Sequence, residues 1–115
     1  MAEYLILTYE NEDAWADADD ETRTAFDREH ATFGATHAGA LRGGNALHPT
    51  AMATTLRNDA AAGRTITDGP FAEARAALGG YYLVEAADLD QAIAVAKDVP
   101  TRFGGVEVRP VRPTD

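Results

Sequence analysis

A chain of 115 residues, 45% hydrophobic and 25% charged, has the size and balance of one globular domain, residues 1–115. It has no cysteine and no serine, which excludes disulfides, thiolate metal sites, and cysteine or serine nucleophiles. Its formal net charge of −9, with one lysine and nine arginines, is the wrong sign for displacing counterions from nucleic-acid phosphates. No N-terminal apolar run has signal-peptide or membrane-spanning length, so the expectation is a cytoplasmic chain with no membrane partner.

The first strand is predicted over Glu3 to Tyr9, where Leu5, Leu7 and Tyr9 alternate with Tyr4, Ile6 and Thr8. A strand apolar on both faces wants cover on both. Helices supply one cover, and a second copy of the sheet is the expected other. The acidic stretch to Asp20 reads as the approach to a helix, with Trp15 folding back onto it. That helix is predicted from about Asp20 to Ala38, with aspartates for its positive end and Gly39 to stop it. Phe26, His30, Phe33 and His37 share one face at i, i+4, i+7, i+11 spacing, so both histidines point with the phenylalanines toward the sheet or its margin.

Leu41 to Leu47 reads as a weak strand in which Gly43-Gly44 marks a bulge or a close backbone approach. After the turn at His48-Pro49, Ala53 to Arg57 and Thr65 to Thr67 are short strands joined by a turn. Asp68-Gly69-Pro70 is a hard corner, because Gly tolerates positive φ and Pro fixes its own. A helical turn or two is expected from Ala72 to Leu78, after which Gly79-Gly80 opens a strand from Tyr81 to Ala86. Asp88-x-x-Gln91 has capping-box spacing for a helix whose buried stripe is Leu89, Ala92, Ile93 and Ala96. Val99-Pro100 stops it, and Gly104-Gly105 leads into a last strand, Val106 to Arg109. This order gives an α+β sandwich with helices on one face of an antiparallel sheet.

Asp68-Gly69-Pro70-Phe71, then Glu73 and Leu78-Gly79-Gly80-Tyr81-Tyr82-Leu83, closely resembles the signature of the DGPF family within the YCII-related proteins. The resemblance extends through Ala38-Gly39-Ala40-Leu41, Asp88-Leu89-Asp90-Gln91-Ala92 and Val106 to Val111. It implies a ferredoxin-like dimeric α+β barrel, βαββαβ in order with an extra β-hairpin, and hence a homodimer. Relatives of that barrel include lactone isomerases, dehydrochlorinases and monooxygenases, which move protons on small cyclic substrates without an organic cofactor. DGPF-type proteins also resemble partners of extracytoplasmic-function sigma factors, which makes a regulatory module the alternative function.

Two readings compete for Asp68: a carboxylate that caps its own turn, or one at the mouth of a cleft that works with an imidazole. The resemblance raises the second, since YCII-like proteins are thought to pair an aspartate of this region with a histidine. His30 is the expected partner for acid–base work near neutral pH, and His48 the alternative. No metal and no organic cofactor is expected: His30 and His37 lie about 10 Å apart along a helix, too far to converge on one ion. Tyr81 and Tyr82 fall on opposite faces of their strand, one in the core and one toward the space between sheets.

Overall fold

The structure, a computed structural model, describes residues 1–114. Its elements run β1 (Ala2–Asn11), α1 (Glu12–Ala16), α2 (Asp20–Thr36), β2 (Leu41–Ala46), a 3-10 turn (Thr50–Met52), β3 (Thr54–Asp59), β4 (Gly63–Asp68), β5 (Ala76–Ala86), α3 (Leu89–Ala96) and β6 (Gly104–Pro110). Four strands form one antiparallel sheet in the order β2-β5-β1-β6. Setting aside the β3–β4 hairpin, this is the split βαβ arrangement of a ferredoxin-like fold, the half-unit of a dimeric α+β barrel.

Local chemistry explains the elements. The Asn11 side chain accepts from the Ala14 amide and starts α1; the Asp19 carboxylate accepts from Thr22 and starts α2. Asp88 accepts from the Gln91 amide, and the Gln91 side chain reaches back to the Ala87 amide, as the capping-box spacing implies. Tyr4, Ile6, Val84 and Ala86 face the helices and pack with Phe33, Ala92, Val95, Ala96 and Val99. The opposite face, with Leu5 beside Leu83 in register, carries no helix.

Four expectations need correction. No helix follows Pro70: residues 69–75 form an irregular connection, and β5 already begins at Ala76. Gly79-Gly80 therefore lies inside the strand, where Thr8 pairs with Gly80 and Tyr9 with Leu78, leaving Gly79 as a bulged extra residue. The buried stripe of α3 is Ala92, Val95 and Ala96, while Leu89 and Ile93 are exposed because the helix is rotated toward its small residues. Helix α2 stops at Thr36, earlier than Gly39, when the His37 amide closes the last turn on Phe33.

The β3–β4 hairpin stands away from the main sheet and packs mainly on itself. The radius of gyration, 16.3 Å, exceeds the value of about 13 Å for a compact chain of this length. Ile66 and Phe71 stay 68% and 66% exposed on this arm, so its apolar residues are left without cover.

Candidate functional site

The main cavity, about 890 Å³, opens between the β1–β5–β2 side of the sheet and the α1–α2 elbow. Its floor is the glycine-rich stretch where β2 crosses β5. A side chain at Gly44 would put its Cβ 2.7 Å from the Tyr81 carbonyl, so only glycine allows β2 to come this close. The wall is a row of rings. Trp15 of α1 packs on Phe26 of α2 with centroids 4.5 Å apart, and Phe26 meets His30 edge-on at 4.6 Å. His30 in turn stacks near Tyr82 of β5 at 5.9 Å. Helical periodicity on α2 sets the middle of that row; the elbow at Asp17-Ala18 brings Trp15 over it.

His30 Nδ1 and the Tyr82 hydroxyl are 2.6 Å apart, a short hydrogen bond across 52 residues of sequence. The other ring nitrogen, Nε2, has no hydrogen-bond partner among the described residues, and His30 is one of the residues lining the cavity. Burial pushes the His30 pKa below its usual value, against the nearby carboxylates of Asp27, Glu10 and Glu29. Burial also raises Tyr82, so the phenol keeps its proton. The pair at neutral pH is therefore an uncharged imidazole and a phenol. One nitrogen is oriented by a hydrogen bond, and the other is available to a bound molecule.

Two carboxylates hold the cavity together. Buried Glu10 accepts from the amides of Arg102 and Phe103, at 3.0 and 2.7 Å, tying β1 to the approach of β6. Glu12 accepts from the Thr50 amide at 2.8 Å and from its hydroxyl, closing the chain after His48-Pro49 over the cavity. Arg23 fastens the α1–α2 elbow by donating from Nε and Nη2 to the carbonyls of Ala18, Trp15 and Ala16.

Of the residues singled out from sequence, His30 and His48 both line this cavity, and Asp68 does not. Asp68 ends β4 on the exposed arm, and its carboxylate makes no hydrogen bond among the described residues, to its own turn or to either histidine. The corner is held instead by the backbone. Gly69, at φ +104°, donates to the Ala53 carbonyl at 2.7 Å and accepts from the Thr55 hydroxyl at 2.6 Å. His37 lies outside the cavity, bonded to Asp98 at 2.7 Å at the margin of the sheet. Tyr82 is the site residue that sequence reasoning missed. Its parity with Val84 and Ala86 placed it on the helix face; nothing local showed that its hydroxyl would reach His30.

A family model for the YCII-related domain matches residues 2–115. An uncharacterized protein of Rhizobium meliloti (strain 1021) is 39% identical over 115 residues, an alignment taking in 94% of this chain and 90% of the relative. No helix among the described residues is long and apolar enough to cross a membrane. With the ferredoxin-like sheet order and a domain match along nearly its whole length, the chain belongs to the YCII-related family.

Proposed function

We propose that this YCII-related protein binds a small organic molecule in the cavity and that His30 acts there as a general base. The observation that carries this reading is the 2.6 Å His30–Tyr82 hydrogen bond inside an aromatic-walled cavity. In the tautomer with the proton on Nδ1, His30 donates to the Tyr82 oxygen, and bare Nε2 is free to take a proton from a bound molecule. His48, which also lines the cavity, is the candidate for returning it. Asp68 enters this scheme only from a second copy of the chain, whose arm would carry it to the cavity mouth. A dimer also supplies the cover that Leu5 and Leu83 lack.

The test is a fragment screen by amide chemical shifts, followed by incubation of each binder in D2O. Binders should perturb Trp15, His30 and Tyr82, and those with an acidic C–H should exchange it. His30→Gln should bind and fail to exchange. Exchange unaffected by His30→Gln would remove the base assignment. Binders that perturb only other regions would remove the cavity. Asp68→Asn, whose carboxamide keeps the side chain's shape, asks whether the partner's carboxylate participates.

A second reading is favoured by the bare apolar arm: a non-catalytic module that docks on a protein such as an extracytoplasmic-function sigma factor. Exposed Ile66 and Phe71, with Arg57 lying 4.1 Å over the Phe71 ring, are what such a surface would present. Light scattering on the wild type and an Ile66→Glu variant, beside a pull-down with each, separates the cases. Loss of self-association by the variant supports the dimer, and loss of a captured sigma factor from a wild type that is monomeric supports the module.

A further inference from the structure

The charge on the cavity walls selects among small molecules, and this inference rests on the reading of the cavity as a ligand site. Four carboxylates contribute to the lining, those of Glu10, Glu12, Asp13 and Asp27, against one guanidinium, that of Arg23. The guanidinium is largely spent: its Nε and Nη2 donate to the backbone carbonyls of the α1–α2 elbow. An anionic ligand would find no free fork of donors here, and it would lie among like charges.

The carboxylates divide into two kinds. Glu10 and Glu12 are committed to amides and a hydroxyl that hold the fold. Asp13 and Asp27 are exposed, and their carboxylates accept no hydrogen bond among the described residues. They flank the aromatic row, Asp13 two residues before Trp15 and Asp27 next to Phe26. Aromatic faces attract cations through the ring quadrupole, most strongly at Trp. Phe26 already shows this from outside the cavity, where the Arg102 guanidinium lies 5.5 Å from its centroid. A neutral imidazole at the end of the row adds an acceptor without adding positive charge.

We propose that the cavity takes an organic cation, a protonated amine carried on an aromatic or cyclic body. The body lies along Trp15, Phe26 and Tyr82, and the ammonium sits between the ring faces and the Asp13 and Asp27 carboxylates.

Trp15 is the chain's one tryptophan, so its fluorescence reports on this wall directly. The probes are 2-phenylethylamine, 2-phenylethanol and phenylacetate, one carbon skeleton in cationic, neutral and anionic forms. The amine should saturate the Trp15 signal at a concentration at least about tenfold below phenylacetate, with the alcohol between. Asp13→Asn and Asp27→Asn should each weaken the amine about threefold, the Coulomb attraction of unit charges about 6 Å apart in water, and leave the alcohol unchanged. Both positions are exposed, so the fold should survive, which circular dichroism checks. Asp90→Asn, at an exposed site on α3 away from the cavity, changes net charge equally and should leave the preference intact.

Phenylacetate binding as well as the amine overturns the proposal and leaves the cavity as a ligand site. An equal loss of preference in Asp90→Asn also overturns it, reducing the effect to net charge. No response to any of the three probes overturns the proposal and counts against the ligand site as well.

Discussion

Replacing Tyr82 by Phe keeps the ring that packs 4.8 Å from Phe33 and deletes only the hydroxyl that meets His30. A hydrogen bond of this kind contributes about 0.5–1.5 kcal/mol net. At about 4–5 °C per kcal/mol for a domain of this size, Tyr82→Phe should melt about 2–7 °C below the wild type. The phenol can meet Nδ1 as acceptor or as donor; the base assignment requires it as acceptor, and loss of that contact should then shift the ratio toward the Nε2–H form by at most about two- to twelvefold. The assay is the 15N spectrum of the imidazoles in histidine-labelled protein, with His30→Gln to assign the signals. The wild type should show a protonated Nδ1 and a bare Nε2, and Tyr82→Phe a larger share of protonated Nε2. A wild-type His30 already protonated at Nε2, with Nδ1 accepting from the phenol, would refute the base assignment. The nitrogen left for a ligand would then be a donor.

Three further outcomes are expected. Phe33, 3% exposed at the centre of the core, should cost about 3–5 kcal/mol on change to Ala, and the half-buried Phe26 distinctly less; equal falls in urea midpoint would contradict this division of the α2 face. Gly104→Ala should destabilise severely, because its Cβ would lie 1.8 Å from the Tyr9 carbonyl oxygen. Gly105→Ala meets nothing within 4 Å and should stay within about 0.5 kcal/mol, so matching melting temperatures would refute the β1–β6 register. His30 is held below its ordinary pKa by burial, opposed by Asp27 and Glu29 on its own helix and Glu10 on β1, with protonated Tyr82 against it. The unfolded chain then takes up the proton first, so this contribution is complete above pH of about 6.5 and is lost as the pH falls through that value toward the lower folded one. Stability of the wild type relative to His30→Gln should therefore fall on acidification from about pH 8 to 5.5, and a rise would be the wrong sign.

Much of the scaffold was legible because it depends on neighbours a few residues apart. Alternation of Tyr4, Ile6 and Thr8 against Leu5, Leu7 and Tyr9 sets the two faces of β1, and Asp88 with Gln91 sets the start of α3. The row Phe26, His30, Phe33 and His37 follows from 3.6 residues per turn, and its contacts with Trp15 and Tyr82 bear that face out. The stretch after Pro70 misled because alanines there have high helix propensity, and β5 pairing with β1 outweighs it from Ala76 onward, joined by pairing with β2 from Gly80.

The sequence by itself determined the order of the main-sheet strands and of the two longer helices, the family and the identity of the two cavity histidines as candidates, since periodicity, turn chemistry and a contiguous motif all act locally. Only the tertiary structure decided who their neighbours are. The hydroxyl of Tyr82 finds His30 across 52 residues because β5 lies beside β1 beneath α2. Asp68, central to the motif that reveals the family, is carried off the cavity wall by a hairpin that pairs only with itself. Chain separation sets no distance between such groups; sheet register and helix placement do, and these are settled by burial of the whole core.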